Sequence, residues 1–176
     1  PTGEMFDSGN TCSTAIENYF KRKMLPLDCG LSGEHSNGNG SLMRINPFVL
    51  FSLFNGGGEM HLDLIRNGSM LTHAHVRSQI GCVIYAFVLK ELLTDPNKAS
   101  VSLGLQKAYE ELSEEPEIHH YSRIFNADFK NTDRSLIKST GYIVDTLEAA
   151  LWCLLTTDTY KDCVLKAVNL GDDTDT

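Results

Sequence analysis

Apolar residues recur at one-turn spacing along almost the whole chain, and this pattern predicts helices nearly throughout. In TCSTAIENYFKRK the repeat is Ala15, Ile16, Tyr19 and Phe20, with Thr11 or Ser13 as N-cap. Basic residues close that segment, where the helix dipole favours them. The following LDCGLSGEHSNGNGS is dense in Gly, Asn and Ser and reads as a loop. LMRINPFVLFSLF resumes the apolar pattern, with Pro47 near a helix start or at a kink. MHLDLIRNGSMLT predicts a short helix. AHVRSQIGCVIYAFVLKELL predicts a long one, apolar on most sides, which belongs at the centre of a bundle.

SVSLGLQKAYEELSEE has the pattern of an amphipathic surface helix with an acidic end. PEIHHYSRIFNADFKNTDRSL breaks the period and is expected as a loop or short helical turns. In VDTLEAALWCLLTT, Leu147, Ala150, Leu151 and Leu154 repeat at helical spacing, with Asp145 and Thr146 before them as caps. TYKDCVLKAVNLG opens with a capping-box variant, Thr159 to Asp162, and closes at Gly171. No alternation suggests a strand and no internal repeat is evident, so the expected fold class is all-α.

Composition narrows the functional classes. The 176 residues are 41% hydrophobic and 22% charged, the balance of a soluble globular chain. A net charge of -8 argues against non-specific attraction to nucleic acid or an anionic membrane. The longest apolar run, IGCVIYAFVL, falls well short of the roughly 18 residues of a membrane span. PTGEMFDSGN has neither the basic nor the apolar region of a signal peptide. The five cysteines are odd in number and contain no C-x-x-C pair, so reduced, mostly buried thiols are expected. Together these features fit a cytoplasmic monomer or small oligomer.

Four segments carry candidate chemistry. The acidic stretch at Asp173, Asp175 and Thr176 offers two carboxylates and a hydroxyl, the hard oxygens that Mg²⁺ and Mn²⁺ take; a solvated acidic tail is the plain alternative. HSNGNGSLMR places Gly38 and Gly40 just before a predicted helix, where backbone N–H groups can face an anion. Ser36, Asn37, Asn39 and Ser41 add neutral donors there, although an ordinary surface loop would look similar. His73 and His75 suit capping or ligand contact better than zinc, and His119 and His120 suit the surface. In KSTGYIVDTLEAALW, Ser139, Gly141 and Tyr142 precede a buried helix; Gly141 permits close backbone approach and Tyr142 can stack, or the segment is a tight connection with a core tyrosine.

Taken in order, FDSGNT, GNGSLMR, THAH, STGYIVDTLEAALWCLL and NLGDDTDT resemble the ADP-ribosylglycohydrolase family, which includes the dinitrogenase reductase-activating glycohydrolases. The resemblance runs from Phe6 to Thr176. It implies a compact multi-helix bundle and a centre of two Mg²⁺ ions, or Mn²⁺. Asp173, Asp175 and Thr176 would be metal ligands, with Asp173 and Asp175 also serving the chemistry, while Asp172 and Thr174 point elsewhere. The resemblance further implies that Ser36, Asn37, Gly38, Asn39 and Gly40 bind the pyrophosphate of ADP-ribose. His73 would line that site, and Ser139, Gly141 and Tyr142 would close over the distal ribose. The implied activity is removal of ADP-ribose from protein side chains, with arginine favoured.

One motif of the family has no match. Its members open with a glycine-rich segment and T-D-D, which supplies the other metal ligands; none precedes FDSGNT, and TDT at Thr157 to Thr159 matches nothing there. The expectation is therefore that residues 1–176 form a single all-α domain, the central part of a longer chain. Such a piece would hold half the metal site and show little or no hydrolysis alone.

Overall fold

The structure, a computed structural model, describes residues 9–174. Among these, the helices in chain order are α1 (Asn10–Phe20), α2 (Gly40–Arg44), α3 (Asn46–Asn55), α4 (Leu62–Met70), α5 (Val76–Thr94), α6 (Lys98–Leu112), α7 (Ile143–Leu155) and α8 (Tyr160–Val168). No strand occurs among the described residues, only two isolated bridges. The fold is all-α. The segment from Pro116 to Leu136 breaks into short 3₁₀ turns at Ile118–Tyr121, Phe129–Asn131 and Arg134–Leu136, as its lost periodicity suggests.

Helix α5 is the axis of the molecule. Residues 77–84 are all buried, which is more than two full turns with no solvent-facing side. It packs along α6 and also touches α2, α3, α4 and α7. Ile80, Val83 and Ile84 join Val101, Leu105 and Ala108 of α6 in the core. Each fully buried aliphatic side chain of this size contributes about 2 kcal/mol. Gly104 sets the α5–α6 spacing, because a Cβ there would lie 2.6 Å from the Val88 Cα.

The helix ends follow local chemistry in some places and tertiary contacts in others. Pro47 falls in the first turn of α3, where its missing N–H costs nothing. Thr159 caps α8, accepting from the Asp162 N–H at 3.1 Å, as the capping-box reading expects. Helix α8 nevertheless ends at Val168, and Gly171 stands beyond it at φ +91°, turning the chain toward Asp173.

Three expectations are corrected. The N-cap of α1 is Gly9, not Thr11 or Ser13. The face of α1 turned inward holds Ala15 and Asn18, while Ile16, Tyr19 and Phe20 are exposed. On the inward face Asn18 Nδ2 donates to the Cys29 carbonyl at 2.9 Å. Helix α7 starts at Ile143 after Tyr142, so Asp145 and Thr146 lie inside its first turn rather than capping it. Its buried stripe includes Leu147, Glu148, Leu151 and Trp152, and Ala150 faces solvent.

Candidate functional site

The loop before α2 and the segment before α7 are joined backbone to backbone. Gly38 and Tyr142 form an antiparallel bridge. The Asn39 N–H donates to the Gly141 carbonyl at 2.9 Å, and the Ile143 N–H donates to the Asn37 carbonyl at 3.0 Å. This pairing, across more than a hundred residues, sets where α7 begins. The acidic segment joins third: the Asp173 N–H donates to the Ser139 carbonyl at 2.9 Å, and Ser139 Oγ donates to the Gly171 carbonyl at 2.8 Å.

Side chains lock this junction. Asn37 is buried, with Oδ1 accepting from Ser78 Oγ at 2.9 Å and Nδ2 donating to the Glu34 carbonyl at 2.9 Å. Asn39 Nδ2 donates to Asp173 Oδ2 at 2.6 Å and to Thr146 Oγ1 at 3.0 Å. Thr140 Oγ1 donates to Asp145 Oδ2 at 2.7 Å. Ser36 and Ser139 are also buried. The polar side chains of Asn37, Asn39 and Ser139 are therefore spent on internal bonds beside a cleft. Its volume is about 410 Å³, lined by Glu34, His35, Asn37, Gly38, Arg77, Gly141 and Tyr142, within the range of small-molecule sites.

His73 lies beneath the loop. Its ring is 2% exposed, and a Cβ on Gly40 would stand 3.0 Å from its Cε1 and 3.1 Å from Cys12 Sγ. Glycine is required there by close approach, not by backbone angle. Burial, with the nearby Arg44 guanidinium, pushes the His73 pKa down to about 4, so the ring is neutral. Thr72 Oγ1 pairs with its Nδ1 at 2.7 Å. His75 caps α5, its Nδ1 accepting from the Arg77 N–H at 3.2 Å, which agrees with the capping reading.

Sequence reasoning passes over Arg77. Its side chain is 7% exposed and bonded through Nη2 to Glu34 at 2.8 Å and to Glu117 at 2.7 Å. A second bond runs from Nε to Glu117 at 2.9 Å, and the guanidinium lies over the Tyr142 ring at 5.9 Å. Desolvation alone would lower its pKa, but the two carboxylates outweigh that and the net shift is upward. The available signal is a charged residue at the start of the most apolar helix, where only a partnered ion survives burial. Thr140, Asp145 and Thr146 likewise look in sequence like helix caps or connection and prove to be struts of the site.

The loop Ser36–Gly40, His73, the segment Ser139–Tyr142 and Asp173 thus lie next to one another, and Asn37, Gly38, Gly141 and Tyr142 of this group line the cleft. Asp175 and Thr176 lie outside the described residues. Among the described residues no group of three His, Cys, Asp or Glu is close enough to hold a metal. Asp173 itself fits a hard cation: Asn39, a neutral donor, orients its carboxylate without cancelling its charge. Asp172 and Thr174 are exposed, while Asp173 is half-buried.

The ADP-ribosylglycohydrolase family model matches residues 1–176. ADP-ribosylarginine hydrolase Tri1 of Serratia proteamaculans (strain 568) is 31% identical over 180 residues, a match covering 98% of this chain and 44% of that protein. The ADP-ribosyl-(dinitrogen reductase) glycohydrolase of Rhodospirillum rubrum is 28% identical over 172 residues, covering 97% of this chain and 51% of that protein. A solved ADP-ribosylglycohydrolase-related protein complex superposes with a TM-score of 0.75 at 27% identity, over 96% of this chain and 54% of that one. The chain belongs to the ADP-ribosylglycohydrolase family. It spans about half the length of the curated relatives it matches.

Proposed function

We propose that this chain carries the nucleotide cleft and part of the metal site of a hydrolase that removes ADP-ribose from modified protein side chains, the arginine N-glycosidic bond being favoured. The observation that carries the reading is that Gly38 and Gly141 line one cleft while the Asp173 carboxylate stands beside Gly141, in a chain whose relatives include proteins named ADP-ribosylarginine hydrolase. Gly38 and Gly141 bring backbone close to a pyrophosphate, as anion-binding turns do. Tyr142, half-buried and backed by Arg77, offers its ring and hydroxyl to the sugar. Gly141 leaves space beside the Asp173 carboxylate, since a Cβ there would lie 3.3 Å from Oδ2.

Asp173, with Asp175 and Thr176, would hold Mg²⁺ or Mn²⁺. When bound, such ions supply Lewis-acid stabilisation of developing charge and activate water. The partner is then an ADP-ribosylated protein or free ADP-ribose, met in the cytoplasm. Calorimetric titration of ADP-ribose, with and without Mg²⁺, tests the cleft, and micromolar binding is the expected result. Hydrolysis assays on the full chain, with arginine-linked and serine-linked ADP-ribosyl peptides, test the linkage. Binding without turnover of either peptide, in a chain that also supplies the family's T-D-D segment, would instead make this an ADP-ribose-binding module.

A further inference from the structure

Asn39 belongs to the glycine loop in sequence, yet its side chain points to the acidic segment. Nδ2 has two hydrogens, and both are used, on Asp173 Oδ2 at 2.6 Å and on Thr146 Oγ1 at 3.0 Å. The amide orientation is forced. Thr146 Oγ1 gives its own proton to the Thr140 carbonyl at 3.1 Å, so toward Asn39 it can only accept. A carboxylate likewise only accepts. Asn39 is 7% exposed, and its backbone N–H is taken by Gly141.

We propose that Asn39 is a positioning residue. It holds the Asp173 carboxylate in place, so that the glycine loop and the acidic segment act as one unit and nucleotide and cation binding reinforce each other. The mutual reinforcement rests on the ADP-ribose reading given above; the strut itself does not. A neutral amide is the suitable group for this task, because Lys or Arg would cancel the charge a cation needs.

The test is Asn39→Ala in the full chain, read in three ways. Amide exchange by NMR, without ligand, is expected to show the Asp173 N–H exchanging about tenfold faster, with the Ile143 N–H still protected. Mn²⁺ affinity, from electron paramagnetic resonance titration, is expected to fall about tenfold, the usual effect of losing a group that orients a metal ligand. Calorimetry with ADP-ribose is expected to give tighter binding in Mg²⁺ than in EDTA for the wild type, and equal binding in the two for the variant. Unchanged Asp173 exchange overturns the proposal, and so does a variant that still binds ADP-ribose more tightly in Mg²⁺ than in EDTA. A wild type that ignores ADP-ribose sinks the functional reading but leaves the exchange result standing. Asn39→Ser, polar but too short to reach Asp173, serves if the alanine variant does not fold.

Discussion

Arg77 and Glu117 are bonded twice, through Nε at 2.9 Å and Nη2 at 2.7 Å, and the arginine is nearly buried. Its second carboxylate, Glu34, stands two residues before the glycine loop, so the pair ties that loop to the 3₁₀ turn at Ile118–Tyr121. Arg77→Met leaves Glu117 with its charge and without both arginine bonds, His120 Nε2 at 3.4 Å being the partner that remains. Removing one member of a buried pair costs about 3 kcal/mol, and that loss is expected in urea unfolding. Glu117→Gln should cost about 1 kcal/mol, because Glu34 remains and a neutral hydrogen bond persists. Equal stability of Arg77→Met and wild type would show that the pair holds nothing in place.

Gly40 offers a test of the cleft floor. A Cβ at this position meets the His73 ring at 3.0 Å and the Cys12 sulfur at 3.1 Å, so the loop must lift or the ring must shift. Gly40→Ala is expected to lower stability by only about 1 kcal/mol, the scale of mild overpacking. ADP-ribose affinity is expected to fall about tenfold, because small displacements of a binding backbone are costly. Thermal melting and calorimetry on one sample separate the two effects. A variant with full affinity would remove the loop from the site.

Much of the fold is legible in the chain. Helices α5, α6 and α8 follow from their own periodicity, the start of α8 also from its capping box, and the irregular turns after Pro116 follow from its loss. The orientation of α1 is not legible, because Asn18 turns inward to reach a carbonyl at Cys29 that periodicity cannot reveal. The start of α7 is set by pairing with a loop far earlier in the chain, a contact that local capping rules do not contain. Within the site, sequence names the loop, His73, Ser139–Tyr142 and Asp173, which the fold places next to one another. It cannot show that Asn37, Asn39 and Ser139 spend their side chains on internal bonds. Arg77 is hidden for the same reason, since its partners lie 43 and 40 residues away.

Gly104 carries a prediction about packing alone. Its neighbours are backbone atoms of α5, with Val88 Cα at 2.6 Å from a would-be Cβ, and backbone cannot swing aside as a side chain can. Gly104→Ala is expected to push α6 outward and to cost about 2 kcal/mol despite the better helix propensity of alanine. Chemical denaturation measures this directly. A stabilised variant would mean that the two helices can separate freely, and that the Gly104 contact does not set their distance.

The buried His73 predicts a pH dependence whose sign can be worked out. Its pKa in the folded chain is about 4 against an ordinary value of 6.5, so below 6.5 the unfolded chain takes up a proton that the folded chain refuses. Stability from this group is fully present above pH 6.5 and is lost as pH falls toward 4. The linked loss is about 3 kcal/mol. Other groups titrate in the same window, so the measurement is a difference: unfolding free energy at about pH 7 and about pH 4.5, for wild type and for His73→Gln. The wild type is expected to lose more than the variant, which has no proton to take up at this position. Equal losses would mean that the ring reaches solvent or a counter-charge on protonation, and that it does not form a dry floor beneath Gly38 and Gly40.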